Sequence, residues 1–349
     1  MGWQTLLRFS VLVLCVLTFA ISGLKEPQTN AGATDDTSFS VGVDTSGERL
    51  IITPPRSEAG HRRLHDMESL TITLTDGTEK TFHHVRYTEP RNGRFLGESP
   101  EGDTLHLLQD DSFEDVVIGS LVLVEESMVY QVRRDATGKV HVIGVHSSDF
   151  RPEAMDYMRE ESHHRSLSDH RNSSSLPQRR LEDANASPTI DVMVLWTKKA
   201  ECQNSMLHES CSPTAMTKAN MENVIALAIS ETNTAFSASG VNAQLRLVHS
   251  YREESFVESS SSQALYALYS PIDGQMDEVH VKREAFGADA VVLMYSDKEY
   301  CGRGYYGYPV ARPTAMFSVV AWDCATGYFT FGHELGHNMV RTRPILNLC

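Results

Sequence analysis

The sequence predicts an antiparallel β-rich domain followed by a layered α/β (α+β) domain, and three observations carry that expectation. Upstream, short segments alternate apolar and polar residues with period two. Residues 159–188 then carry Ser, Arg, His and Glu with almost nothing apolar. Downstream, apolar runs alternate with segments of helical spacing, the pattern of helices packed on a sheet. The length of 349 residues suits two domains of ordinary size. A hydrophobic fraction of 41% and a charged fraction of 22% are those of a chain that buries a core. The net charge of −15 excludes nucleic-acid binding by bulk positive charge.

Residues 9–21 form an apolar stretch behind Arg8. It is shorter than the roughly 20 residues a bilayer-spanning helix needs. Ala20-Ile21-Ser22 supplies a small-x-small cleavage site, so residues 1–22 are expected to be a signal peptide and the protein secreted, without stable membrane insertion. The expected β-rich propeptide-like domain covers residues 23–158. Ser69-Leu70-Thr71-Ile72-Thr73-Leu74-Thr75 alternates strictly and meets a turn signal at Asp76-Gly77; residues 116–124, 128–132 and 140–145 continue the pattern. Residues 159–188 are an expected exposed linker, with a dibasic Arg179-Arg180 as a possible processing site and Asn172 and Asn185 as glycosylation acceptors.

From 189 to 349 the elements change. Residues 190–196 and 290–295 read as buried strands, 243–248 as another, and 315–322 as a sheet-edge strand that could pair with an extended peptide. Helices are expected over 214–237, with Met216, Ala219, Asn223, Ala226 and Ile229 in step, and over 273–286, with Met276, Val279 and Arg283 in step. Residues 299–314 read as a Tyr- and Gly-rich loop, and 259–262 as a loop or helix cap. Asp191, Asp289 and Asp297 suit strand-end capping better than a calcium site. Cys202, Cys211, Cys301 and Cys324 suggest two disulfides. Three pairings are open, the most local being 202–211 with 301–324; Cys349 is left odd.

The chemistry is concentrated in Gly332-His333-Glu334-Leu335-Gly336-His337-Asn338-Met339. On a helix, residues i and i+4 share a face, so His333 and His337 can ligate one Zn2+ ion. Glu334 then lies beside the metal, free to take a proton from its water and pass it to a leaving amine.

With Ile190-Asp191-Val192-Met193-Val194-Leu195, Gly287-Ala288-Asp289-Ala290-Val291-Val292-Leu293, Cys301-Gly302 and Thr330-Phe331 before it, this motif resembles the secreted metzincin zinc metalloendopeptidases. The likeness is closest to the reprolysin-like (M12B-like) group that includes the adamalysins, and runs from about 189 to 339. It implies a metzincin-like catalytic domain with a mixed, twisted sheet and an active-site helix, protein or peptide substrates, and a propeptide acting as intramolecular inhibitor. The region 23–158 holds no cysteine, so a thiolate cap on the metal is not available and inhibition would be steric. The sequence departs from the family pattern after Met339. Val340 stands at the Gly position and Arg343 at the third His, and 349 − 337 = 12 residues follow His337, too few for the family's methionine turn. Read this way, the domain is C-terminally truncated and its zinc site impaired. The alternative is a catalytically inactive secreted binding or inhibitory protein.

Overall fold

The computed structural model describes residues 38–43, 50–53, 69–73, 79–84, 94–110, 113–154, 188–306 and 313–339. Among them, nine strands close a barrel: β1 (Ser38–Val43), β2 (Leu50–Thr53), β3 (Ser69–Thr73), β4 (Glu79–His84), β5 (Arg94–Glu98), β6 (Thr104–Asp110), β7 (Phe113–Leu123), β8 (Met128–Arg134) and β9 (Val140–His146). Neighbours from β3 to β9 are antiparallel; β1 closes the ring, parallel to β3 and antiparallel to β2, which meets β9. The period-two pattern puts one side chain in two inside. Opposed residues Leu70 and Phe82, Phe95 and Leu107, and Leu105 and Leu121 are cross-strand partners that are all buried. The expectation of β structure is met, while closure into a barrel was not read from the sequence. The expected signal peptide, the linker, the Asp76-Gly77 turn and the residues after Met339 lie outside the described residues.

The second part is a five-stranded mixed sheet among the described residues, built on β10 (Thr189–Thr197), β11 (Gln244–Glu253), β12 (Ala290–Tyr295), β13 (Gly302–Gly304) and β14 (Phe317–Ala321). Its order is β11-β10-β12-β14-β13; the first four strands are parallel and β13 is antiparallel to β14. Helices α1 (Lys198–Asn204), α2 (Ala215–Ala238), α3 (Ser261–Tyr269), α4 (Glu278–Phe286) and α5 (Thr330–Met339) complete it. Successive residues of a strand face opposite sides, and here both sides are covered, which is why β10 and β12 read as unbroken apolar runs. Val192, Val194 and Trp196 pack with Met221, Ile225 and Ala228 of α2 and with Phe331 and Leu335 of α5. Met193 and Leu195 pack with Leu265 and Leu268 of α3 and with Val279 of α4.

Three sequence expectations need correction. The strand at Phe317–Ala321 is not the sheet edge, because β13, hidden in the loop expected over 299–314, pairs along its outer side. Of the five residues placed in step on α2, only Ile229 is buried; it joins Thr217, Asn220, Met221, Val224, Ile225, Leu227, Ala228, Glu231 and Thr232 in the buried set. The helix is covered on two sides, since Leu227 also packs on barrel residues Leu108 and Ile118, so one stripe does not describe it. Helix α4 starts at Glu278, and turns precede it. The 259–262 segment is a helix cap, as expected: Ser260 accepts from Gln263 N–H and opens α3. The cysteines pair as 202–211 and 301–324, the most local of the three possibilities. Asp191 takes Arg246 in two hydrogen bonds, Asp289 accepts from Asp191 N–H, and Asp297 accepts from Glu299 and Tyr300 N–H, so these aspartates pair and cap.

The barrel grips the loop that launches α5. Gln131 Nε2 donates to Asp323 O at 2.9 Å and Thr326 O at 3.0 Å. Arg134 Nε donates to Asn220 Oδ1 at 2.7 Å. Glu231 of α2 accepts from Ser120 Oγ at 2.5 Å and from Gly327 N–H at 2.9 Å. Gly327 has φ +73°, and a Cβ there would lie 2.6 Å from Val129 Cγ1, so glycine is required on both counts.

Candidate active site

Helix α5 carries His333, Glu334 and His337, with Glu334 against β13 at the side of the sheet. Phe331 and Leu335 are fully buried in the core and fix its rotation. Asn338 Nδ2 donates to Tyr305 O at 2.7 Å and Phe317 O at 3.1 Å, tying the helix to β14 and the chain after β13. The residue before the helix, Phe329, takes φ +63°, a left-handed conformation that is unusual for a bulky side chain. His333 N–H donates to Phe329 O at 3.1 Å, so the first helical hydrogen bond holds that turn.

One helical turn apart, His333 Nε2 and His337 Nε2 face each other at 3.0 Å. Burial, and then the charge of His337, push His333 down to about 4; burial lowers His337. Both rings are therefore neutral near pH 7, the form that can ligate a metal. Two nitrogens on a tetrahedral zinc at about 2.05 Å stand roughly 3.3 Å apart, so the pair fits two corners of such a site. His333, Glu334 and His337 bring their ligand atoms within 4.8 Å of one another. Arg343, at the third-ligand position of the pattern, lies outside the described residues.

Glu334 is 1% exposed. Burial first, and then Glu153, hold its carboxyl well above the usual range. Burial raises Glu153 as well, and the two carboxyls lie within hydrogen-bonding reach. The buried Glu334 Oε1 has no donor among the described residues. Arg303 of β13 is near enough to favour the charged form of Glu334; it donates to Ser261 Oγ at 3.1 Å and lies over the Tyr300 ring.

The sequence motif thus meets the structure in all three of its residues. Four further contributors were not read from it: Glu153, Arg303, Asn338 and the strand β13 itself. Glu153 lies 181 residues before Glu334 in a polar stretch that carries no motif, and only folding brings the two together. The signal for β13 was present in Gly302 and Gly304. A Cβ at Gly302 would lie 2.6 Å from both Glu334 Cγ and Thr330 Cγ2, so the strand passes the helix only as glycine. Gly302→Ala is expected to destabilise the protein by about 2 kcal/mol through overpacking, read as a lowered unfolding midpoint. An unchanged midpoint would contradict this close approach.

Residues 222–341 match the family model for the reprolysin-like metallopeptidases of family M12B. A peptidyl-Asp metalloendopeptidase of Stenotrophomonas maltophilia (strain R551-3) is 38% identical over 119 residues, 34% of this chain and 28% of that protein. The Xanthomonas campestris protein of the same name is 36% identical over 119 residues, with the same coverage. That of Pseudomonas aeruginosa is 32% identical over 182 residues, 45% of this chain and 26% of its own length. The chain therefore spans under a third of the length of these relatives. Among solved structures, a chain of a chaperone–substrate complex aligns over 77% of this chain at a TM-score of 0.33 and 12% identity, a level from which nothing about the fold follows. The matched segment holds the whole His333-Glu334-His337 group, β12 to β14 and α5, so the likeness to the reprolysin-like M12B metallopeptidases falls on the part of the chain that carries the site.

Proposed function

We propose that the protein is a secreted zinc metalloendopeptidase made as a zymogen, with the barrel as its propeptide. The observation that carries this is the pair of neutral imidazoles, 3.0 Å apart at Nε2, with Glu334 beside them at the sheet edge. The two disulfides and the apolar stretch at residues 9–21 support an extracellular setting. When bound, zinc supplies a Lewis acid that polarises the peptide carbonyl and lowers the pKa of water. Glu334 takes the proton from the attacking water and delivers it to the leaving amine. His333 and His337, whose Nε2 atoms face each other, would hold the metal, and β13 would offer its backbone to an extended peptide. The relatives' name makes peptides containing Asp the first substrates to try.

Arg343 stands where the family pattern has its third His, and a guanidinium does not replace an imidazole as ligand. The proposal therefore includes weak zinc binding and impaired turnover. The same observation favours a second reading, an inactive secreted binding or inhibitory protein.

Zinc titration of the full chain against a chromophoric chelator is expected to show one site. His333→Ala or His337→Ala should weaken it at least about tenfold, since a protein ligand is lost. Equal affinity in the variants would remove the metal reading. Casein hydrolysis that a chelator abolishes separates the enzyme from the inactive protein.

A further inference from the structure

The end of the barrel domain runs into the peptide groove. Beyond β9, a 3-10 turn at Ser147–Asp149 leads into residues 150–154. Cys301 N–H donates to Pro152 O at 3.0 Å, and Ala154 N–H donates to Gly302 O at 3.1 Å. These backbone bonds extend the sheet past β13, at the edge where an extended peptide would add. Two anchors flank them: Phe150 stacks on Tyr328 with ring centroids 4.4 Å apart, and Arg151 pairs with the Asp323 carboxylate. Between the anchors and the end of the tail, Glu153 reaches inward. Thr330 Oγ1, at the start of α5, donates to its Oε1 at 2.6 Å, and its carboxyl stands against that of Glu334.

We propose that residues 150–154 are a strand-added latch that fills the peptide groove in cis, and that Glu153 is the side chain that seals it against Glu334. The proposal rests on reading β13 and Glu334 as peptide-binding and catalytic groups. It gives the steric inhibition expected of a cysteine-free propeptide a definite form. A peptide cannot pair with β13 while Pro152 and Ala154 hold Cys301 and Gly302. Water cannot stand between Glu334 and a carbonyl while the Glu153 carboxyl fills that space. Separation of the barrel from the α/β domain would withdraw the latch, and the sequence between the two begins just past it, at residue 155.

The test is hydrogen–deuterium exchange of residues 300–306 in the full chain, for wild type, Glu153→Ala and Arg151→Ala, with and without a decapeptide carrying one Asp among Ala and Gly. The Arg151 side chain is anchored on Asp323 and not on Thr330 or Glu334, so its variant decides if removal of Glu153 disturbs folding. Loss of one charge-assisted anchor is expected to raise exchange by about tenfold in both variants. The decapeptide should restore protection in the variants and leave wild type unchanged. Unchanged exchange in both variants, or equal peptide protection in wild type, overturns the latch. Cleavage of the same decapeptide with zinc present is followed in parallel. Faster cleavage in the variants supports the latch, and faster cleavage in wild type overturns it. If no form cleaves while the exchange pattern appears, the peptidase reading fails and the latch stands.

Discussion

Glu334→Gln is expected to lower peptide hydrolysis by about 10²- to 10⁴-fold, the usual contribution of a positioned general base. The amide has nearly the shape of the carboxyl but cannot take a proton from water. The substitution sits inside the close contact with Gly302 and Gly304, so shape matters as much as charge. Zinc affinity should stay within a few-fold, because the two imidazoles remain. Measuring kcat beside a zinc titration separates the outcomes. Full activity in the variant would remove Glu334 from the chemistry. Loss of zinc together with activity would make it a ligand instead.

Glu231→Gln is expected to remove one component of the pH dependence of stability below neutrality, the component that falls as pH rises. Burial pushes the Glu231 carboxyl up to about 7 from 4.5, while Ser120 and Gly327 N–H pull it part of the way back. Between those values the folded protein keeps a proton that the unfolded chain has released. Its contribution to stability is therefore greatest below about pH 4.5, falls as pH rises to about 7, and is flat above. At about 1.4 kcal/mol per pH unit, the loss is on the order of 3 kcal/mol. The variant carries no charge to bury, so wild-type stability minus variant stability should fall by that amount across the window. Parallel profiles for the two proteins would refute the assignment. The residue joins barrel strand β7 to the loop that launches α5.

The HExxH group was legible because its logic is local. Spacing of four on a helix is enough to place His333 and His337 together, and their neighbour Glu334 follows. The buried strands β10 and β12 were legible for a similar reason, since continuous apolar runs report burial on both faces. The α2 face was misread because two different bodies bury that helix. The sheet edge was misread because β13 has only three residues, two of them glycine, and no apolar alternation to announce it.

By itself, then, the sequence determined the order of β and α/β parts, the placing of two imidazoles and a carboxyl on one helix, and the departure at Val340 and Arg343. These are properties of composition and of spacing along one chain. Only the tertiary structure decided what stands next to Glu334. Closure of the barrel, its grip on residues 323–327 and the run of residues 150–154 along β13 set Glu153 against the base. A contact between residues 181 apart depends on how two domains pack, and no local pattern encodes it.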